Sequence, residues 1–221
     1  MRNRRTRVFA FNLLLLALLA GLALPPGARA QAAEPVIAVL GDSLAAGFGL
    51  AAEAAFPARL EAGLRARGVA VRVINAGVSG DTSAGGLARL DWTLDGSPGL
   101  VPDLVIVELG SNDALRGLDP ADTLVNLDAI LTAIRDRGMT AMLAGMMAPR
   151  NLGREYAEDF DSIYPRLAEK HAIVLYPFFL DGVALDPALN QGDLIHPNGA
   201  GVGIIVERII PFVLRALEGG P

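Results

Sequence analysis

Val36-Ile37-Ala38-Val39-Leu40-Gly41-Asp42-Ser43-Leu44 decides the fold. Five apolar residues run straight into Gly-Asp-Ser. An apolar run of this length, rich in Val and closed by a turn signal, reads as a strand buried on both faces. Ligands of open α/β sheets bind at the carboxyl edge of such strands. Ser43 stands at that edge, which makes it a candidate nucleophile. Gly-Asp-Ser is also turn-forming in its own right, so a plain strand and turn is the competing reading.

The same unit recurs downstream. Residues 56–67 read as a helix with Leu60 and Leu64 on its apolar face and Gly68 as its stop. Residues 69–74 read as a second strand, followed by a polar loop over 75–82. Asp81 or Thr82 then caps a helix whose Leu87 and Leu90 face inward. A third strand over 103–109 runs into Gly110-Ser111-Asn112-Asp113. Asp119-Pro120-Ala121-Asp122 opens a helix to about residue 137, with Leu124, Leu127, Ile130, Leu131 and Ile134 at helical spacing. Strands are expected over 140–146 and 172–175, with one helix over 156–170 between them. After an irregular stretch, His196-Pro197 leads into a last helix carrying Val202, Ile205, Val206, Ile209 and Ile210 inward. Five strands alternating with helices call for an α/β fold with a parallel sheet covered on both faces. The flavodoxin-like order 2-1-3-4-5 places strand 1 between strands 2 and 3.

The chain ahead of this stretch has a different design. Arg2, Arg4, Arg5 and Arg7 precede an almost wholly apolar run over residues 8–24, and Ala28-Arg29-Ala30 follows. This is the three-part pattern of a secretory signal peptide over residues 1–30. The rival reading is a permanent membrane anchor. The run is short of the ~20 residues a spanning helix needs, which favours export with removal to a periplasmic or secreted location. No stable membrane span is expected after cleavage. Residues 31–221 then form a single domain. Five of the 19 Lys and Arg leave with the leader and none of the 24 Asp and Glu, so the remaining domain carries a net charge of −10. Such a surface is a poor match for nucleic acid. The chain has no cysteine, which excludes disulfides, thiol chemistry and lipid attachment through a thiol. A monomer is expected.

Three polar loops leave the sheet at one edge, carrying Ser43, Gly80 and Asn112. A fourth cluster, Asp193-Leu194-Ile195-His196, precedes the last helix. A serine hydroxyl is a weak nucleophile until a base takes its proton, which His196 can do. Asp193, three residues earlier, can reach the other ring nitrogen and hold the tautomer. An oxyanion needs donors, each worth ~3 kcal/mol of barrier. The N–H groups of Ser43 and Gly80 and the side-chain amide of Asn112 are the candidates.

Gly41-Asp42-Ser43-Leu44, Gly80, Gly110-Ser111-Asn112-Asp113 and Asp193-Leu194-Ile195-His196 resemble, in order, the four blocks of the SGNH (GDSL) hydrolase superfamily. Longer runs such as residues 79–83, 86–90, 107–113, 115–117 and 195–198 are similar to its periplasmic thioesterase I, lysophospholipase L1 and arylesterase branch. The resemblance spans essentially all of residues 31–221. It implies a three-layer α/β/α sandwich without metal or organic cofactor. It also implies Ser43 as nucleophile, His196 as base, Asp193 as orienter, and Ser43, Gly80 and Asn112 as oxyanion donors. The expected reaction is hydrolysis of a small-molecule acyl ester or thioester. Ser111 stands where close relatives often have glycine. Ala114 to Leu118 occupies the place of a loop thought to move over the acyl chain. Ala114, Leu115, Met147, Ala148, Pro149 and Ile195 are the expected substrate contacts, Met147-Ala148-Pro149 because they follow the fourth strand at the active edge. Flexible thioethers suit varied acyl shapes, though Met142, Met146 and Met147 also fit plain packing.

Other readings compete. Asp42 and Asp113 read as loop scaffolding rather than acid–base groups, and His171 as a helix-end or surface residue. Gly47-x-Gly49-x-x-Ala52 imitates a dinucleotide fingerprint, but too far from the strand. Two histidines and no cysteine disfavour zinc. The nearest functional rival is a carbohydrate or peptidoglycan O-acetyl esterase of the same fold. With Trp92 the only tryptophan, on an expected helix, there is no aromatic sugar platform in its favour. A non-catalytic binding module and a nucleotide-binding flavodoxin-like protein are further alternatives.

Overall fold

The computed structural model describes residues 34–95 and 101–220. The leader expected over residues 1–30 lies outside them. Five strands form one parallel sheet: β1 (Val36–Gly41), β2 (Arg72–Gly77), β3 (Leu104–Glu108), β4 (Thr140–Ala144) and β5 (Val174–Tyr176). Their order is β2-β1-β3-β4-β5, as the alternation predicts. Gly41 pairs with Gly77 on one side and with Glu108 on the other. Asp42 and Ser43 therefore leave the sheet beside the ends of both neighbours.

Nine α-helices connect and cover the strands among the described residues: α1 (Ser43–Ala46), α2 (Phe56–Ala66), α3 (Ser83–Ala88), α4 (Leu90–Asp95), α5 (Ser111–Leu115), α6 (Pro120–Asp136), α7 (Arg154–Asp161), α8 (Ile163–His171) and α9 (Gly199–Leu217). Helix α2 packs on α9, and α6 packs on α3 and α8, giving a layer on each face of the sheet. The core is continuous across both layers. It joins Ile37, Val39 and Leu40 of β1 to Phe56, Leu60 and Leu64 of α2, and to Leu127, Ile130 and Ile134 of α6. Each such side chain stabilises the fold by about 1.5–3 kcal/mol when taken out of water. Among the described residues no helix is long and apolar enough to cross a membrane. No group of three or more His, Cys, Asp or Glu among them is placed to hold a metal.

Several boundaries differ from expectation: β4 stops at Ala144 and not 146, β5 runs over 174–176 and not 172–175, and Leu87 and Leu90 fall on two helices, α3 and α4. Strand β2 runs over Arg72–Gly77, not 69–74, because it pairs with the whole of β1 from Val36 opposite Arg72 to Gly41 opposite Gly77. Asn75-Ala76-Gly77 thus belongs to the strand and not the loop. Gly77 is required there: a Cβ would lie 2.3 Å from the Ala46 nitrogen. The helix expected over 156–170 is two, α7 and α8, meeting at Ser162. Pro165 has no N–H to offer the carbonyl of Asp161, and its ring crowds that carbonyl. Helices α1 and α5, of four and five residues, are absent from the sequence reading. They are too short to show a period. The caps match better. Thr82 accepts from the Gly85 N–H to open α3, and Asp119 accepts from the Ala121 N–H to open α6.

Candidate active site

Ser43 is the first residue of α1, separated from the end of β1 only by Asp42, the cap of α1. Its Oγ lies 2.9 Å from His196 Nε2. His196 Nδ1 lies 2.7 Å from Asp193 Oδ2. An ionised carboxylate only accepts, so Nδ1 carries the proton and Nε2 presents its lone pair to the serine hydroxyl. Asp193 Oδ1 also accepts the N–H groups of Ile195 and His196, at 2.9 and 3.0 Å. The His196 N–H, the His196 ring and the Ile195 N–H together hold the Asp193 carboxyl well below the usual carboxylate range.

The loop carrying this pair is closed at its base. Asn190 bridges Pro197, and the Gln191 N–H donates to the His196 carbonyl at 2.8 Å. Gln191 Nε2 also donates to the Phe48 carbonyl at 2.7 Å, tying the last loop to the first. The Phe48 ring lies 4.6 Å from the His196 ring, centroid to centroid.

Asn112 lies in α5, beyond β3. Its Nδ2 donates to Asp42 Oδ2 and to the Asp81 carbonyl, both at 2.9 Å. Gly80 adopts a left-handed φ of 86°, and its carbonyl accepts from Arg116 Nη2 at 2.7 Å. Asp81 pairs with Arg89 at 2.6 Å, and Arg89 also donates to the Gly41 carbonyl. Three of the four polar loops are thereby bonded to one another around Ser43, and the fourth supplies His196.

Sequence reasoning missed Glu108. It ends β3, is fully buried, and accepts the Asp42 N–H through Oε2 at 3.2 Å. Burial pushes its carboxyl well above the usual range, and the Asp42 charge adds to this. Asp42 is also fully buried, and burial raises it to about 6 against the hydrogen bonds from Leu44 and Asn112. A glutamate in an otherwise apolar strand was the available signal, since buried carboxyls need a reason. Asp113 is scaffolding, as expected. It accepts the N–H and Oγ–H of Ser83 at 2.8 and 2.5 Å, and the Thr123 hydroxyl at 3.2 Å.

A cavity of about 420 Å³ flanks the site. Leu115, Met147, Ala148, Pro149 and Ile195 line it, as does Ser111, the neighbour of Asn112. Ala114 does not: it is buried in the core, about 100° around α5 from the exposed Leu115. His171 ends α8 as expected, but its side chain is buried and not on the surface. Its Nε2 meets Asp128 at 2.7 Å, far along the chain from Ser43.

A five-stranded α/β/α sheet with these loops at its carboxyl edge is the SGNH hydrolase fold. The crystal structure of AlinE4, an SGNH-hydrolase family esterase, superimposes with a TM-score of 0.71 at 49% identity, covering 83% of this chain and 97% of that one. The crystal structure of TesA gives 0.76 at 39% identity, covering 82% and 99%. The arylesterase of Vibrio mimicus is 41% identical over 190 residues, 86% of this chain and 93% of its own. Thioesterase 1/protease 1/lysophospholipase L1 of Escherichia coli strain K12 is 43% identical over 170 residues, 77% and 78% of the two chains. The GDSL-like lipase/acylhydrolase family model matches residues 39–204. The chain belongs to that family and is an enzyme of the ester-bond hydrolase type.

Proposed function

We propose that this enzyme is an exported serine hydrolase of acyl esters or thioesters that works through an acyl-enzyme on Ser43. The observation that carries the reading is the continuous chain from Ser43 Oγ to His196 Nε2 at 2.9 Å and from His196 Nδ1 to Asp193 Oδ2 at 2.7 Å. His196 takes the hydroxyl proton as Oγ bonds to the substrate's acyl carbon. The imidazolium is stabilised by Asp193. As the tetrahedral intermediate collapses, its bond to the alcohol or thiol breaks and His196 returns the proton to that leaving group. Water then repeats the sequence, releasing the carboxylic acid and restoring Ser43.

The oxyanion donors in this reading are the N–H groups of Ser43 and Gly80 and the Asn112 amide. Neither N–H has a protein acceptor among the described residues. The apolar cavity supports an acyl chain over a sugar as the group bound beside the serine. Acyl-CoA thioesterase and lysophospholipase chemistries present such a chain, and an arylesterase would place an aromatic group or a short acyl group there. The basic and apolar leader supports export, with cleavage after Ala30.

The test uses protein lacking residues 1–30 and p-nitrophenyl esters. The parent should turn over, and Ser43→Ala should lose at least 1,000-fold in kcat. A fluorophosphonate should modify Ser43 alone. Unchanged turnover in Ser43→Ala, or an adduct elsewhere, would sink the mechanism.

A further inference from the structure

Beneath the nucleophile, three side chains from separate segments stack on one another. Glu108, at the end of β3, accepts the Asp42 N–H. Asp42 accepts the Leu44 N–H through Oδ1 at 2.9 Å and the Asn112 amide through Oδ2 at 2.9 Å. The second amide hydrogen of Asn112 goes to the Asp81 carbonyl. Both hydrogens of the proposed oxyanion donor are therefore already engaged. Neither bond can be turned around: with its oxygen and nitrogen exchanged, Asn112 would set its oxygen against two acceptors.

We propose that Asp42 is a positioning residue for the reaction, whose carboxylate grips the Asn112 amide and sets it at the angle from which it shares a hydrogen with the oxyanion. The inference rests on the reading of Asn112 as an oxyanion donor. A bond to a charged acceptor is roughly twice as strong as one to a neutral acceptor, so the ionised form of Asp42 is the one that fixes the amide. The Asp81 carbonyl is backbone and has no comparable variable. Glu108 supplies the footing: its Oε2 holds the Asp42 backbone N–H, and burial disfavours its charged form.

The groups facing Asp42 come from every neighbouring segment. They are Glu108 of β3, Tyr164 of α8, His196 of the loop before α9, and Asp81 with its partner Arg89 after β2. His196 favours the ionised form and Asp81 opposes it. Burial is the largest influence and carries Asp42 to about 6.

Asp42→Asn isolates the charge. Asparagine keeps the cap on Leu44, but its nitrogen then meets the Asn112 nitrogen, donor against donor. The experiment is a double-mutant cycle with a p-nitrophenyl ester. Asn112→Ala tests the underlying reading and should lower kcat about 100-fold. If it leaves kcat intact, the oxyanion role fails and this proposal with it. Asp42→Asn should lower kcat 10–100-fold with KM within threefold of the parent. In the Asn112→Ala background the same change should cost less than twofold. An equal loss in both backgrounds, with the Asn112→Ala effect itself intact, overturns the positioning role while leaving the donor role standing. A second measurement avoids the Asp42 variant altogether. On the acid side, log(kcat/KM) should fall more steeply in the parent than in Asn112→Ala, because only the parent has an amide for the ionised Asp42 to hold. Profiles of the same shape in the two proteins also overturn the proposal.

Discussion

At the scale of single residues, Asp42 has an effect on stability distinct from any effect on rate. Its folded-state pKa of about 6 lies above the ordinary 3.8. The folded protein thus holds a proton that the unfolded chain has released between those values. The contribution to stability is full below pH 4 and is lost as pH rises through 6. Asp42→Asn removes it. Between pH 4 and 7.5 the unfolding free energy of the variant should gain on the parent by on the order of 3 kcal/mol, at ~1.4 kcal/mol per pKa unit. Urea unfolding at the two pH values measures this, and a parallel pH dependence would contradict it. The residues proposed to react, which the structure brings within hydrogen-bond distance, were legible in the sequence. Ser43, His196 and Asp193 are few in kind and sit next to turn signals at strand and helix ends. Glu108 was not legible, because the last residue of an apolar strand looks like the start of a loop. Only its register opposite Gly41 shows that it lies inside. Ala114 and Leu115 illustrate the same limit, since adjacent helical residues point about 100° apart and a five-residue helix shows no period to reveal which is buried.

At the scale of elements, α9 does more than cover the sheet. Its cap, Asn198, accepts the N–H groups of Ala200 and Gly201 at 2.9 and 3.1 Å. Its Nδ2 donates backwards to the carbonyls of Ala188 and Asn190 at 2.9 and 3.2 Å. One side chain thus starts the helix and fastens the base of the loop that carries His196. Asn198→Ala should lower stability by about 2 kcal/mol, the cap and the two loop bonds together. Asn198→Asp keeps the cap but turns a carboxylate on the two carbonyls. It should recover no more than the cap's share of the stability and still lose activity, as urea unfolding and ester turnover would show in parallel. The long elements of this layer were legible because Val202, Ile205, Val206, Ile209 and Ile210 repeat at helical spacing. What escaped was set by pairing or by a single atom. The reach of β2 follows from the length of β1, and the break between α7 and α8 follows from the missing hydrogen of Pro165.

At the scale of the whole molecule, the sheet separates support from chemistry. The interior is apolar through both layers, and the groups proposed to react collect at one edge beside the cavity. That cavity is bounded by segments after β3, β4 and β5, so its size is a property of three loops and not of the core. Met147, half-exposed on its wall, is the point at which it can be filled without disturbing the packing. Met147→Trp should lower kcat/KM for octanoyl esters at least tenfold relative to acetyl esters. A uniform change across the two substrates would place the acyl chain elsewhere. The site also has an order of assembly in time. Ser43 and His196 are 153 positions apart, and the loop of His196 is fastened to the first loop through Gln191 and Phe48. At the usual pace of synthesis a growing chain carries its serine without a base for roughly 8–30 s. Under the proposed mechanism the polypeptide is inert toward esters until the segment carrying His196 has docked on the first loop. Docking of that segment is then the event that switches the chemistry on.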